Sequence, residues 1–116
     1  MNGNSKTNTV CIERLVKASQ AGIRGAFDEL VALYQRRAMQ VAVRMLGDTD
    51  EAAEAVQNGF VKAYLNIEKL KEPGRFEAWF FRIIANTAIS QRKAVKGRME
   101  KITIFGNRKS KKSLSL

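Results

Sequence analysis

The sequence predicts an all-α domain, a bundle of three to four helices. Apolar residues recur at three- and four-residue steps through segments 26–46, 48–67 and 75–95, no stretch alternates like a half-buried strand, and the single proline, Pro73, falls between two of the periodic segments. The chain has 116 residues, 45% of them hydrophobic, enough for one core and one domain. The expected division is a disordered leader over 1–10, a helical domain over 11–97 and a basic tail over 98–116.

A short helix is expected from Ile12 to Gln20, with Ile12, Leu15 and Val16 on one face, followed by the punctuation of Gly22 and Gly25. The second helix is expected from Ala26 to Leu46. Phe27, Leu30, Val31, Tyr34, Ala38, Val41, Ala42 and Met45 form one wide apolar stripe, and Gly47 is a fitting stop. Asp48 is a good N-cap for the third helix, with Glu51 three residues on, and Val56, Phe60, Ala63, Tyr64 and Ile67 form its inner face. Residues 68–74 read as a loop ending in Pro73-Gly74. The fourth helix is expected from Arg75 to about Val95, apolar nearly all round in its first half and basic in its second, with Gly97 weakening its end. Trp79 and Phe80 are expected inside, which would make Trp79→Ala cost about 3–5 kcal/mol.

Composition excludes several classes of function. There is no histidine, which removes histidine acid–base chemistry and histidine metal sites, and no phosphate-cradling glycine motif or catalytic dyad is legible. The chain reads as a non-enzyme with no cofactor and no metal. One cysteine, Cys11, forms no internal disulfide, the apolar runs are too short to span a bilayer, and the polar start lacks a signal-peptide core, so a cytoplasmic protein without membrane contact is expected. The net charge of +10 is uneven. Residues 1–74 hold ten Lys/Arg against nine Asp/Glu, while residues 75–116 hold eleven against two. That asymmetry points to a polyanionic partner, most often nucleic acid, or to a solubilising tail.

Two surfaces are candidates. Arg75, Arg82, Asn86 and Lys93 follow one another at steps of seven, four and seven residues, which places them on one helical face, and Lys96 continues it. Such a stripe tracks a phosphate backbone, with Asn86 able to reach a sugar or base edge, or it is a solvated face opposite the core. The loop before it, with Lys71 and Gly74, suits close approach to an unpaired base, and Phe76 and Phe81 are the aromatic candidates for stacking. On the third helix, Asp50, Glu51, Glu54 and Gln57 suit a basic partner helix, although capping and the helix dipole alone would also favour carboxylates there.

The residues also resemble a known family. Met45-Leu46-Gly47-Asp48, then Ala52-Ala53-Glu54-Ala55-Val56-Gln57-Asn58-Gly59-Phe60 with Val61-Lys62-Ala63-Tyr64, then Phe76-Glu77-Ala78-Trp79-Phe80-Phe81-Arg82-Ile83-Ile84-Ala85-Asn86, and finally Arg92-Lys93, are together similar to region 2 of extracytoplasmic-function (ECF) sigma factors. The resemblance spans Phe27 to Lys93. It implies a transcription initiation module that binds core RNA polymerase and recognises and melts the promoter −10 element. Asp50, Glu51, Glu54, Gln57 and Asn58 would meet the coiled coil of the beta-prime subunit. Lys71, Gly74, Arg75, Phe76, Arg82, Asn86, Arg92, Lys93 and Lys96 would hold the −10 non-template strand, and an anti-sigma factor is an additional implied partner. The chain departs from the family at Asn58, where an acidic residue is usual, and at Ser90, where an aspartate is frequent. No second, −35-reading domain is expected, so residues 98–116 are a basic tail or a truncated linker. Other readings remain open: a standalone basic nucleic-acid-binding bundle, or a polymerase-binding decoy or regulator without initiation activity.

Overall fold

The computed structural model describes the backbone of residues 2–106 and the side chains of residues 11–97. Four helices form, α1 (Asn2–Gln20), α2 (Ala26–Leu46), α3 (Thr49–Asn66) and α4 (Phe76–Gly106), and short 3-10 turns at Ile67–Lys69 and Pro73–Arg75 bracket the loop between α3 and α4. No strand occurs among the described residues, as the periodicity predicts. Among the described residues no helix is long and apolar enough to cross a membrane.

The helix boundaries follow from local chemistry. α2 ends at Gly47, whose φ of 73° is open to glycine at little cost and whose N–H closes back on the Val43 carbonyl. The next residue, Asp48, is extended, and its carboxylate accepts the Glu51 N–H at 2.9 Å, so α3 starts where the cap predicts. Two ends differ from expectation. α1 begins ahead of Ile12, within the segment assigned to the leader, because neither glycine nor proline interrupts residues 4–20; the side chains of residues 1–10 lie outside the described residues. α4 continues past Val95 and Gly97 to Gly106, since one glycine costs a helix only about 1 kcal/mol relative to alanine. The remainder of the tail lies outside the described residues.

The core is built around α4, which packs against the other three helices. Phe80, fully buried, lies at its centre. Its ring stacks on Phe60 of α3 at 4.8 Å and on Phe76 at 5.6 Å, and tilts against Tyr34 of α2 at 5.7 Å. Val16 of α1, Leu30, Ala38 and Ala42 of α2, Ala52, Val56 and Ala63 of α3, and Ile84 of α4 complete the buried cluster. Small residues on α3 allow close helix contact: a Cβ added at Gly59 would lie 2.5 Å from Ile84 Cδ1. Polar links add register. Gln91 of α4 donates to the Glu51 carbonyl at the start of α3. Glu77 accepts from the Tyr34 hydroxyl and from Arg37, each at 3.1 Å, which ties the start of α4 to α2.

The sequence reading of Trp79 needs correcting. It is only half-buried, at the edge of the core against Phe76, because the interior at this level is already filled by Phe76 and Phe80. Phe80→Ala is therefore the substitution expected to cost about 3–5 kcal/mol, with Trp79→Ala costing clearly less, as urea unfolding of the two variants will show.

The Glu77 cluster carries a pH signature. The Arg37 hydrogen bond holds the Glu77 carboxyl below its usual range, while burial and the neighbouring carboxylate push the Tyr34 phenol up. A carboxyl stabilised in its charged form contributes above its unfolded pKa and loses that contribution as pH falls through the folded one. Glu77 is half exposed, so the effect is small and screened by salt. Glu77→Gln should be less stable than wild type at pH 7, and the gap should close as both are titrated below about pH 4, read from urea midpoints.

Candidate nucleic-acid and partner interfaces

The rotation of α4 is set by what it buries. Phe76, Phe80, Ile84, Thr87, Ala88 and Gln91 face inward, so residues half a turn away must face out. Arg82, Asn86, Lys93 and Lys96 are all exposed, and their helical spacing aligns them along one outward stripe, as the sequence predicts. Lys71 and Gly74 are exposed in the loop that leads to this stripe. Arg75 is exposed as well, in the 3-10 turn rather than in α4, and forms a surface pair with Glu72 at 2.8 Å.

Of the residues assigned to the same surface, one is buried and another, exposed, is tied to α2. Phe76 is 1% exposed, packed between Tyr34 and Phe80, and has no free face to stack on a base. Arg92 is turned toward α2 and donates to the Met45 carbonyl at 3.2 Å, completing the last turn of that helix. One position off the seven-residue series is a rotation of about 100°, enough to move it from the stripe to the helix junction. Phe81 is also removed as a stacking candidate, since the Arg37 guanidinium covers its ring at 4.9 Å.

The structure adds a feature the sequence reading missed. Between α3 and α4 runs an open groove of about 360 Å³, lined by Lys62, Asn66, Lys69, Trp79, Ile83, Asn86 and Thr87. Two lysines stand on one wall, and an indole and an amide on the other. Thr87 Oγ1 is buried there and has no hydrogen-bond partner among the described residues. A cationic groove with one flat aromatic wall and an amide is chemically suited to a phosphate-linked base. Its signal in the sequence was spread over two helices with no common spacing.

On α3, Asp50, Glu54, Gln57 and Asn58 are exposed on the side away from the core. Glu51 is half-buried, and its backbone is engaged by the Asp48 cap and by Gln91. The same outward stripe continues into an apolar half, with Val61 52%, Tyr64 59% and Leu65 70% exposed. α3 thus presents a face that changes from acidic to apolar along its length. The sequence places Tyr64 on the inner face; its ring instead rests with one side on Phe27 at 5.1 Å and the rest in solvent.

Comparison with known proteins identifies the architecture. The sigma-70 region 2 profile matches residues 30–98, more than half of the chain. The chain belongs to the sigma-70 region 2 family. The match takes in α2, α3, the loop and the stripe of α4, so both candidate surfaces lie inside the region 2 domain. Among related proteins, the domain is 32% identical over 80 residues to the ECF RNA polymerase sigma factor SigW of Bacillus subtilis, covering 69% of this chain and 43% of that protein. It is 37% identical over 76 residues to the RNA polymerase sigma-H factor of Pseudomonas aeruginosa, covering 66% and 39%. It is 36% identical over 76 residues to the ECF RNA polymerase sigma-E factor of Haemophilus influenzae, covering 66% and 40%. The region 2 chain spans about two fifths of the length of these relatives.

On a single strand, each lysine or arginine that neutralises a phosphate contributes about 0.7 to the dependence of log affinity on log salt. The double variant Arg82→Ala/Lys93→Ala should therefore flatten that slope by about 1.4 on a single-stranded oligonucleotide. Arg92→Ala should change it far less, because Arg92 serves the α2 terminus; fluorescence anisotropy across a salt series distinguishes the two.

Proposed function

We propose that this domain is the polymerase-binding and −10-strand-capturing module of an ECF-type sigma factor, acting in transcription initiation in the cytoplasm and doing no chemistry of its own. The observation that carries the reading is the pair of chemically distinct exposed stripes on neighbouring helices of one core: acidic then apolar on α3, cationic on α4. Each stripe lies opposite the buried face of its own helix, so two macromolecules can be engaged at once without disturbing the fold.

In this reading Asp50, Glu54, Gln57 and Asn58 pair with a basic helix of the beta-prime coiled coil, and Val61, Tyr64 and Leu65 give that contact its apolar anchor. With Asn58 in place of an acidic residue, more of the affinity falls on the apolar half. Arg82, Lys93 and Lys96 neutralise phosphates of the separated strand, while the loop and the groove beside Trp79 and Asn86 receive an unpaired base. Extracting a base from the stack costs a few kcal/mol, so the grip on polymerase and the phosphate contacts must together exceed that cost. An anti-sigma partner would regulate the domain by covering one of the two stripes.

The test uses the full chain, a beta-prime coiled-coil fragment and a non-template single strand enriched from a randomised pool. Glu54→Arg should weaken coiled-coil binding about tenfold or more and leave strand binding intact. Asn86→Ala should erase the preference for the enriched strand over its scrambled version and leave coiled-coil binding intact. Equal coiled-coil binding by wild type and Glu54→Arg, or a pool that yields no preferred strand, would sink the proposal; the latter would favour a sequence-blind basic bundle.

A further inference from the structure

The loop between α3 and α4 is fastened from outside. The Gln20 side chain, near the end of α1, donates through Nε2 to the Ile67 carbonyl and to the Leu70 carbonyl, each at 2.8 Å. A primary amide has two hydrogens, so both go to this one stretch of backbone. The contacts link residues 47 and 50 positions apart, which makes them tertiary and not part of the turn itself. The loop's own backbone bonds here are few: Leu70 N–H to the Ile67 carbonyl, and Arg75 N–H to the Glu72 carbonyl. α1 also reaches the far end of the loop. A Cβ added at Gly74 would lie 3.1 Å from Glu13 Oε2. Glu13 and Gln20 thus bracket the loop, while Val16 is the one α1 side chain among the described residues that is fully buried in the core.

We infer that Gln20 is a positioning residue for strand capture: its amide fixes the entrance of the 68–74 loop in the shape that receives the unpaired base. This inference rests on the strand-capturing role proposed above for that loop. Without the amide, the Ile67 and Leu70 carbonyls would turn to water, and the loop would sample conformations that binding would have to reorder, at an entropic cost. The effect falls on strand recognition and leaves the polymerase face alone, since both Gln20 amide bonds go to the Ile67 and Leu70 carbonyls, beyond the end of α3.

Gln20→Met tests this with a side chain of similar length, no donor and no charge; Gln20→Ala serves as a second variant. Hydrogen exchange at the amides of 68–76 should quicken about tenfold, with the amides of α2 and α3 unchanged. Preference for the enriched strand over its scrambled version should fall about tenfold, with affinity for the coiled-coil fragment unchanged. Unchanged loop exchange overturns the inference, and so does faster exchange with undiminished strand preference. Faster exchange spread through α2 and α3 also overturns it, because Gln20 would then act through overall stability. A wild type without strand preference overturns the capture reading itself, and it is recognised before any variant is made.

Discussion

The burial of Phe80 sets the geometry of everything else. Its ring meets aromatic partners from α2, α3 and its own helix, and a residue held from three sides cannot rotate. Fixing Phe80 fixes the rotation of α4, and the basic residues on the opposite side then have only solvent to face. The outward cations follow from a packing constraint rather than from any attraction between them. Their mutual repulsion is tolerated because the aromatic cluster opposes it, and a polyanion laid along the stripe would relieve it.

The fold was legible because its signals were local. Helical periodicity, the Asp48 cap and the left-handed Gly47 are each encoded within a few residues, and the element boundaries from Ala26 to Asn66 follow from them. The exposed residues of the two stripes were legible for the same reason, since a 3.6-residue period places Arg82, Asn86 and Lys93 together, and Glu54 with Asn58, without any knowledge of the partners. Three features were not. Phe76 could be assigned to surface or core until the positions of Tyr34 and Phe80 were known. Arg92 stands about 100° round the helix from Lys93, but that the α2 terminus waits for it there is set by packing. The groove beside Trp79 draws on Lys62 from α3, Lys69 from the turn after it and Asn86 from α4, and no pattern along a single segment encodes a gap between two.

The same division explains why α1 is easily undervalued from sequence. From sequence it reads as a short helix with Ile12, Leu15 and Val16 on one face, and among its described residues Val16 alone is fully buried. Its amide at Gln20 finds partners 47 and 50 residues away, and a side-chain contact to backbone carbonyls leaves no trace in the identities of the residues that supply the carbonyls. Family membership, which rests on residues 30–98, begins after α1 and gives no hint of it.

The loop's anchorage also bears on how such a domain diverges. Ile67 is sunk in the core and Leu70 leans on it, whereas Lys71, Glu72 and Gly74 stand in solvent, and the outside hold is on main-chain oxygens that every amino acid possesses. Lys71 and Glu72 can therefore be exchanged without refolding the bundle or releasing its clasp, whereas a side chain at Gly74 would press on the Glu13 carboxylate at 3.1 Å. Divergence at these positions would alter the chemistry the arc shows to solvent and leave its shape in place.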